Sequence, residues 1–208
     1  MQAAIQPVAI QRPLAAEESA RADFYALLSR LFQAPPDAAL LSALAAAGPL
    51  PADGDPRLAK AWQHVVDASS AMDADAALDE YEALFGGVGK ATVSLYTGFY
   101  AGAPALDHPR VRIRADLAAL GLAPRVTTEP EDHFSALFDA MRVLIAGGAG
   151  RAPATIEEQC RFFEAHLAAA YRGLAEALAK AESANYYRRV AALAAAFLEI
   201  ETESFELD

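Results

Sequence analysis

Apolar residues recur at spacings of three and four along most of the chain, which is the pattern of helices with one buried face. The first such face lies in residues 17–33 and consists of Phe24, Leu27, Leu28, Leu31 and Phe32. The same spacing, with proline and glycine as stops, predicts further helices at about 37–47, 57–70, 73–85, 109–120, 129–146, 154–181 with a break, and 185–203. The pattern predicts an all-α fold: a single globular helical domain of about eight helices.

The same pattern predicts a simple domain organisation. Residues 1–15 show no period and are expected to be a flexible N-terminal arm, ahead of an all-helical domain at 16–208. Within that domain, Gly147-Gly148-Ala149-Gly150 separates two predicted helices. A glycine-rich joint of this kind predicts a hinge near 147–150.

Residues 86–105 depart from the helical pattern. They begin with a glycine-rich run and continue through β-branched and aromatic residues, but no partner strand is visible. We therefore expect a loop with a short extended piece rather than a sheet. Aromatic residues at helical spacing usually pack in a core, whereas those within a glycine-rich loop more readily line a groove. The aromatic residues that flank this loop are Tyr81, Phe85, Tyr96, Phe99 and Tyr100.

The pentapeptide Glu-Pro-Glu-Asp-His at 129–133 concentrates two kinds of titratable group at a predicted helix start. A structural explanation covers most of it, because Pro130 is tolerated in a first turn and acids suit the positive end of a helix dipole. Thr128 and Glu131 also match a capping box. This explanation leaves His133 without a role. On a helix, Asp132 and His133 would point about 100° apart, so no metal site is predicted here.

The acidic balance narrows the classes of partner. The formal net charge is −11, and acids crowd the C-terminal end. Such a surface repels phosphate backbones, so nucleic acid is not expected, and a basic peptide is a more natural partner. The alternative is that the negative charge only keeps the protein soluble, and charge alone does not distinguish the two. The last acids are Glu199, Glu201, Glu203, Glu206 and Asp208.

The remaining composition indicates location and argues against catalysis. The single cysteine, Cys160, cannot form an internal disulfide, which fits a reducing compartment. No apolar run reaches membrane-spanning length and no secretory signal is visible, so a cytoplasmic protein without stable membrane insertion is predicted. There is no Gly-x-Ser-x-Gly elbow, and the glycine run at 86–90 lacks the spacing of a phosphate-binding loop.

Three sequence blocks resemble the TorD/DmsD family of redox-enzyme maturation chaperones. The first is Glu80-Tyr81-Glu82-Ala83-Leu84-Phe85-Gly86 followed by Ser94-Leu95-Tyr96, the second is Glu129-Pro130-Glu131-Asp132-His133, and the third is Phe162-Phe163-Glu164-Ala165-His166-Leu167. Arg21-Ala22-Asp23-Phe24-Tyr25-Ala26-Leu27-Leu28 also fits. The blocks span most of the chain in the family's order, and the second is the most specific.

The resemblance implies a TorD-like helical fold, no catalytic activity, and no cofactor or metal of the protein's own. It implies binding of the twin-arginine signal peptide and the apo form of a molybdenum-cofactor oxidoreductase, which assists cofactor insertion and delays export. Some members exchange halves to form dimers, so a monomer or a domain-swapped dimer is expected. The signal-peptide site implied by the blocks comprises Tyr81, Phe85, Ser94, Tyr96, Glu129, Pro130, Asp132 and His133.

Within this site, Glu129 and Asp132 would bind the two guanidinium groups of the signal, and the aromatic residues would bind its apolar stretch. His133 would orient a carboxylate or donate to a peptide carbonyl. Departures from the family pattern at 90–93 and at 170–171 leave the client open. Two alternatives remain: a helical interaction or assembly module for another protein, and a small hydrolase using Glu129, Asp132 and His133. The hydrolase would need a third polar group from elsewhere.

Overall fold

The structure is a computed structural model, and it describes residues 14–86, 91–100, 109–123, 130–148 and 150–207. It confirms the all-α prediction, because these residues contain helices and two isolated β-bridges but no strand. The helices are α1 (Ala16–Gln33), α2 (Ala38–Ala45), α3 (Pro56–Ala71), α4 (Ala74–Phe85), α5 (Pro109–Ala119), α6 (Phe134–Ala146), α7 (Ile156–Phe163), α8 (Tyr171–Lys180) and α9 (Tyr186–Phe205). A 3₁₀ turn covers Thr97–Phe99, and a π-helical turn covers Glu164–Ala168.

Aspartates fix the start of three early helices. Asp37 accepts a hydrogen bond from the main-chain N–H of Leu40. The side chains of Asp55 and Asp73 cap α3 and α4 in the same way. Each carboxylate satisfies an N–H that the helix itself leaves without a partner, so these boundaries are determined locally.

The core is built around the packing of α1 against α6, with α9 packed against α3 and α8. Aromatic side chains join these layers: Phe32 of α1 lies 6.0 Å from Phe138 of α6 between ring centroids, and 6.3 Å from Tyr187 of α9. All three rings are buried, and burial of rings of this size contributes much of the hydrophobic free energy of a domain.

Two buried carboxylates connect helices that are far apart in sequence. Glu80 of α4 accepts hydrogen bonds from the main-chain N–H groups of Asn185, Tyr186 and Tyr187 at 2.8 to 3.0 Å. It therefore caps the first turn of α9, because the side chain of the cap residue, Asn185, accepts no hydrogen bond from the N–H groups of that turn. Glu201, also buried, accepts two hydrogen bonds from the guanidinium of Arg21, at 2.7 and 2.8 Å.

The second of these carboxylates corrects the sequence-based view of the C-terminal acids as a free acidic surface. Glu201 lies in the core with Arg21 and the hydroxyl of Tyr25. Glu203 is exposed but pairs with Arg57 at 2.7 Å. These two acids stabilise contacts within the protein, which leaves fewer of them for a basic partner.

Two predicted boundaries differ from the structure. The helix expected at 129–146 begins at Phe134, and residues 130–133 form a turn ahead of it. The stretch expected to be helical at 154–181 is divided into α7, the π-helical turn and α8, in agreement with the break in its pattern. The N-terminal arm predicted at 1–15 lies outside the described residues except for its last two.

The described residues at the predicted hinge are constrained by their main chain. Gly147 has φ +73, a conformation that favours glycine, and an added Cβ there would lie 2.6 Å from the carbonyl oxygen of Arg151. Gly148 and Arg151 exchange two main-chain hydrogen bonds. The guanidinium of Arg151 also donates to the carbonyl of Leu120 beyond the end of α5. A hinge function for 147–150 stays a prediction, and any exchange of halves would have to break these bonds.

Among the described helices, none combines the length and the hydropathy that a membrane crossing requires.

The Glu80 cap yields a stability prediction. We expect Glu80→Gln to lower the free energy of unfolding by about 1–3 kcal/mol, because an amide cannot accept three hydrogen bonds as a carboxylate does. Glu82→Gln removes an exposed acid from the same helix and should change it by less than about 0.5 kcal/mol. Urea denaturation of both variants tests this, and equal stabilities would contradict the proposed cap.

Candidate functional site

Two main-chain hydrogen bonds join the first and second sequence blocks. The N–H of Thr97 donates to the carbonyl of Asp132, and the N–H of Phe134 donates to the carbonyl of Leu95, both at 2.9 Å. Together they form the antiparallel bridge between Tyr96 and His133. The extended piece expected in residues 86–105 therefore has a partner, which is the turn before α6 rather than another strand.

The bridging segment, residues 91–100, is held at both of its ends. Near its start, the N–H of Val93 donates to the carbonyl of Leu84 at the end of α4, at 2.9 Å. Near its end, the Tyr100 hydroxyl donates to the carbonyl of Ser94 at 2.8 Å, so the segment folds back on itself. The Tyr100 ring lies directly against Gly173 of α8, where an added Cβ would be 2.6 Å from the ring.

His133 caps α6. Its Nδ1 accepts a hydrogen bond from the N–H of Ser135 at 3.2 Å and lies 2.7 Å from the Ser135 hydroxyl. In the neutral ring the proton is therefore on Nε2. The side chain is only 4% exposed, and the Tyr96 ring packs edge-on against it at 5.3 Å. His133 thus acquires the structural role that the sequence alone left unexplained, and any contact with a ligand stays a prediction.

Asp132 is the unusual group in this site. It is 8% exposed, and within the described residues its Oδ1 is buried without a hydrogen-bond partner. The closest cation is Arg110, whose Nε lies 3.5 Å from that oxygen. Burial raises the pKa of the Asp132 carboxyl above its ordinary range, although Arg110 acts in the opposite direction. A carboxylate in this state can gain from a better-placed donor.

The neighbouring acid is in a different state. Glu131 accepts two hydrogen bonds from the guanidinium of Arg114, at 2.6 and 2.9 Å. Its own main-chain N–H and Arg114 hold the pKa of Glu131 below its usual range. Because Glu131 lies in the turn before α6, it is not the third residue of a helix as the predicted capping box required. Thr128 and Glu129 lie outside the described residues.

Apolar side chains are exposed next to these acids. Tyr96 is 38% exposed and Phe99 is 63% exposed. Both residues belong to the bridging segment, whose main chain is fixed by hydrogen bonds. The 3₁₀ turn that carries Phe99 lies against α5, whose first turn carries the exposed Val111. The exposed aromatic surface, defined here as Tyr96 and Phe99, is therefore adjacent to the carboxylate of Asp132.

The predicted site residues that the structure describes fall into two groups. Ser94, Tyr96, Pro130, Asp132 and His133 lie along the main-chain join described above. Tyr81 and Phe85, by contrast, belong to an aromatic cluster with Tyr187 of α9, at centroid distances of 5.6 and 5.0 Å.

This cluster is part of the packing between helices. The Tyr81 hydroxyl donates to the main-chain carbonyls of Phe32 and Gln33 at the end of α1. Tyr81 and Phe85 therefore position the end of α4, from which the bridging segment departs. A direct role for them in binding stays a prediction.

The third block supplies a polar pair between a buried histidine, His166, and an exposed aspartate, Asp116. The π-helical turn directs His166 toward α5, where its Nε2 lies 2.8 Å from the Asp116 carboxylate. Burial lowers the pKa of His166, while Asp116 acts in the opposite direction. In the described parts of the chain, no group of three or more His, Cys, Asp or Glu side chains is arranged to bind a metal ion.

The sequence of this chain matches that of a known protein family. The sequence profile of the family described as nitrate reductase delta subunit matches residues 52–176, which is more than half of the chain. The match includes α3 to α7, most of α8, and both segments joined at Tyr96 and His133. The chain belongs to the nitrate reductase delta subunit family. No curated protein sequence matches it.

Membership confirms the resemblance to the redox-enzyme maturation chaperones and the helical fold that it implied. The family is one of chaperones that act in the maturation of molybdoenzymes, with nitrate reductase in its description. The match does not include α1, α2 and α9.

The contact between Tyr100 and Gly173 yields a second prediction. Gly173→Ala should destabilise the protein by about 1–3 kcal/mol, because the new methyl group would overlap the ring. In a Tyr100→Ala background the same change should be neutral or stabilising by up to about 1 kcal/mol, since alanine is the better helix former. Thermal unfolding of the single and double variants measures this coupling, and additive effects would contradict the contact.

The state of Asp132 yields a third prediction. Because burial raises its pKa, ionisation of Asp132 destabilises the folded state, and that cost develops as pH rises through the carboxyl's folded-state pKa. Asp132→Asn should therefore gain stability relative to the unmodified chain between about pH 4 and pH 7. Urea unfolding across this range tests it. A relative loss of stability with rising pH would show that the carboxylate is well paired.

Proposed function

We propose that this protein is a cytoplasmic chaperone that binds the twin-arginine signal peptide and the apo form of a molybdenum-cofactor oxidoreductase. By holding the signal, it would assist cofactor insertion and delay export until the client is mature. The observation that supports this proposal best is the placement of an incompletely paired, buried carboxylate beside the exposed aromatic surface. These are the two chemistries that a twin-arginine signal requires.

The carboxylate suits a guanidinium. Oδ1 of Asp132 makes no hydrogen bond to a described residue and has Arg110 at 3.5 Å, which is too long for a strong charge-assisted bond. A peptide arginine that reached it would donate one or two N–H bonds to a desolvated acceptor. Glu131 already has Arg114 and is the weaker candidate. Glu129 is assigned to the second peptide arginine by the family resemblance.

The exposed aromatic surface suits the apolar stretch that follows the arginines. Tyr96 and Phe99 present rings to solvent from a segment fixed by hydrogen bonds on both sides. A rigid segment loses little conformational entropy when a peptide covers it, which favours binding. The peptide would lie across this surface in a helical or extended form, with its arginines toward Asp132.

The state of His133 favours binding over hydrolysis. A hydrolytic base must reach a substrate proton, whereas this ring is buried and its Nδ1 accepts the N–H of Ser135. We therefore assign His133 a positioning role: it holds the start of α6 and supports the Tyr96 ring. The family's chaperone character is consistent with this assignment.

The proposal predicts the calorimetry of a synthetic signal peptide. The unmodified chain should bind a peptide with paired arginines and an apolar stretch, and Asp132→Asn should weaken binding by about tenfold or more. Asp139→Asn, which removes an exposed acid from α6, is the matched control and should bind normally. Phe99→Ser should weaken binding of the apolar stretch. It should leave the free energy of unfolding nearly unchanged, because Phe99 is exposed.

The contradicting results are specific. If the peptide does not bind the unmodified chain, the proposed signal-peptide function fails. If it binds equally well to Asp132→Asn and to the control, the function stands but the arginines bind elsewhere. If changing the paired arginines to alanine leaves affinity unchanged, the contact lies with the apolar stretch alone.

A further inference from the structure

Arg110 lies at a position that is electrostatically unfavourable for a cation. It is the second residue of α5, where the helix dipole places partial positive charge, and the first turn of α5 contains no acid to offset it. Its guanidinium is extended toward Asp132, yet Nε remains 3.5 Å from Oδ1. A cation in an unfavourable position is thus held near an acceptor without satisfying it.

The neighbouring pair shows that a complete contact is geometrically available between the same two elements. Arg114 lies one turn further along α5 and makes two short hydrogen bonds to Glu131, the residue before Asp132. Both arginines lie on the face of α5 that meets the 130–133 turn. The two pairs therefore differ in how closely the guanidinium approaches its carboxylate. The Arg110 side chain is 58% exposed and is able to move away.

The bridging segment passes close to the Asp132 carboxylate. An added Cβ at Gly98 would lie 3.4 Å from Oδ2 of Asp132 and 3.2 Å from the ring of Pro109. Glycine at position 98 therefore allows the segment to pack against the carboxylate. The exposed Phe99 is the next residue, so a ligand on the exposed aromatic surface lies close to the acid and to Arg110.

We infer that Arg110 is a built-in competitor that occupies the guanidinium position at Asp132 until a peptide arginine displaces it. This inference rests on the proposed function and adds a regulatory feature to it. Arg110 would neutralise the buried acid in the unliganded chaperone. A ligand would then have to bind Asp132 more strongly than Arg110 does in order to displace it. A lysine ammonium, which lacks the forked donor geometry, would displace it poorly.

The test is calorimetry with the twin-arginine peptide on Arg110→Gln. Removing the competitor should tighten binding by about two- to fivefold, which is the range expected from the loss of one partly exposed ion pair. Arg142→Gln, whose arginine pairs with Asp139 on α6, changes the net charge equally and should leave affinity nearly unchanged. Adding Asp132→Asn to Arg110→Gln should abolish the gain, because the competition occurs at that carboxylate.

A peptide with paired lysines gives a second readout that a purely structural role would not change. Its binding relative to the arginine peptide should improve in Arg110→Gln, since no internal guanidinium remains to be displaced. Weaker or unchanged binding of the arginine peptide to Arg110→Gln, with normal binding by the unmodified chain, would overturn the competitor role while leaving the proposed function intact. If the unmodified chain binds neither peptide, the proposed function itself fails.

Discussion

The candidate site depends on two main-chain hydrogen bonds, from Thr97 to Asp132 and from Phe134 to Leu95. A helical protein holds its helices by packing side chains, but an irregular segment has no such face and needs main-chain partners to keep a fixed position. These two bonds give the bridging segment its partner and fix the entry to α6. Everything assigned to the site follows from them: the buried Asp132, the His133 cap and the exposed rings.

The site is stabilised from a distance as well. The aromatic cluster around Tyr187 fixes the end of α4, and the Tyr100 ring against Gly173 fixes the end of the bridging segment. Asp132 is one of four described residues with a buried side-chain polar atom that makes no hydrogen bond, and it is the one beside the exposed aromatic surface. A buried acceptor without a donor lowers the stability of the unliganded protein, and a ligand that supplies the donor recovers that free energy.

The helices could be predicted from the sequence because they are determined by residues close together in the chain. These determinants are the spacing of apolar residues and capping residues such as Asp37, which accepts the N–H of Leu40. The sequence placed the start of α6 too early because acids and a proline suit a helix start and a turn equally well. The deciding contact comes from Leu95 in another part of the chain. The Glu80 cap on α9 was missed for the same reason. The i, i+4 spacing of Arg110 and Arg114 places both on one face of a helix, but spacing alone does not show which acids they contact.

Hydrogen exchange on the intact protein, with and without a twin-arginine peptide, tests the central claim most directly. If the joined segments are the binding site, the amides of the bridging segment and of residues 131–135 should gain protection on peptide addition. Helices far from the join, such as α2, should show little change. Binding that leaves both joined segments unprotected, with new protection elsewhere, would contradict the account.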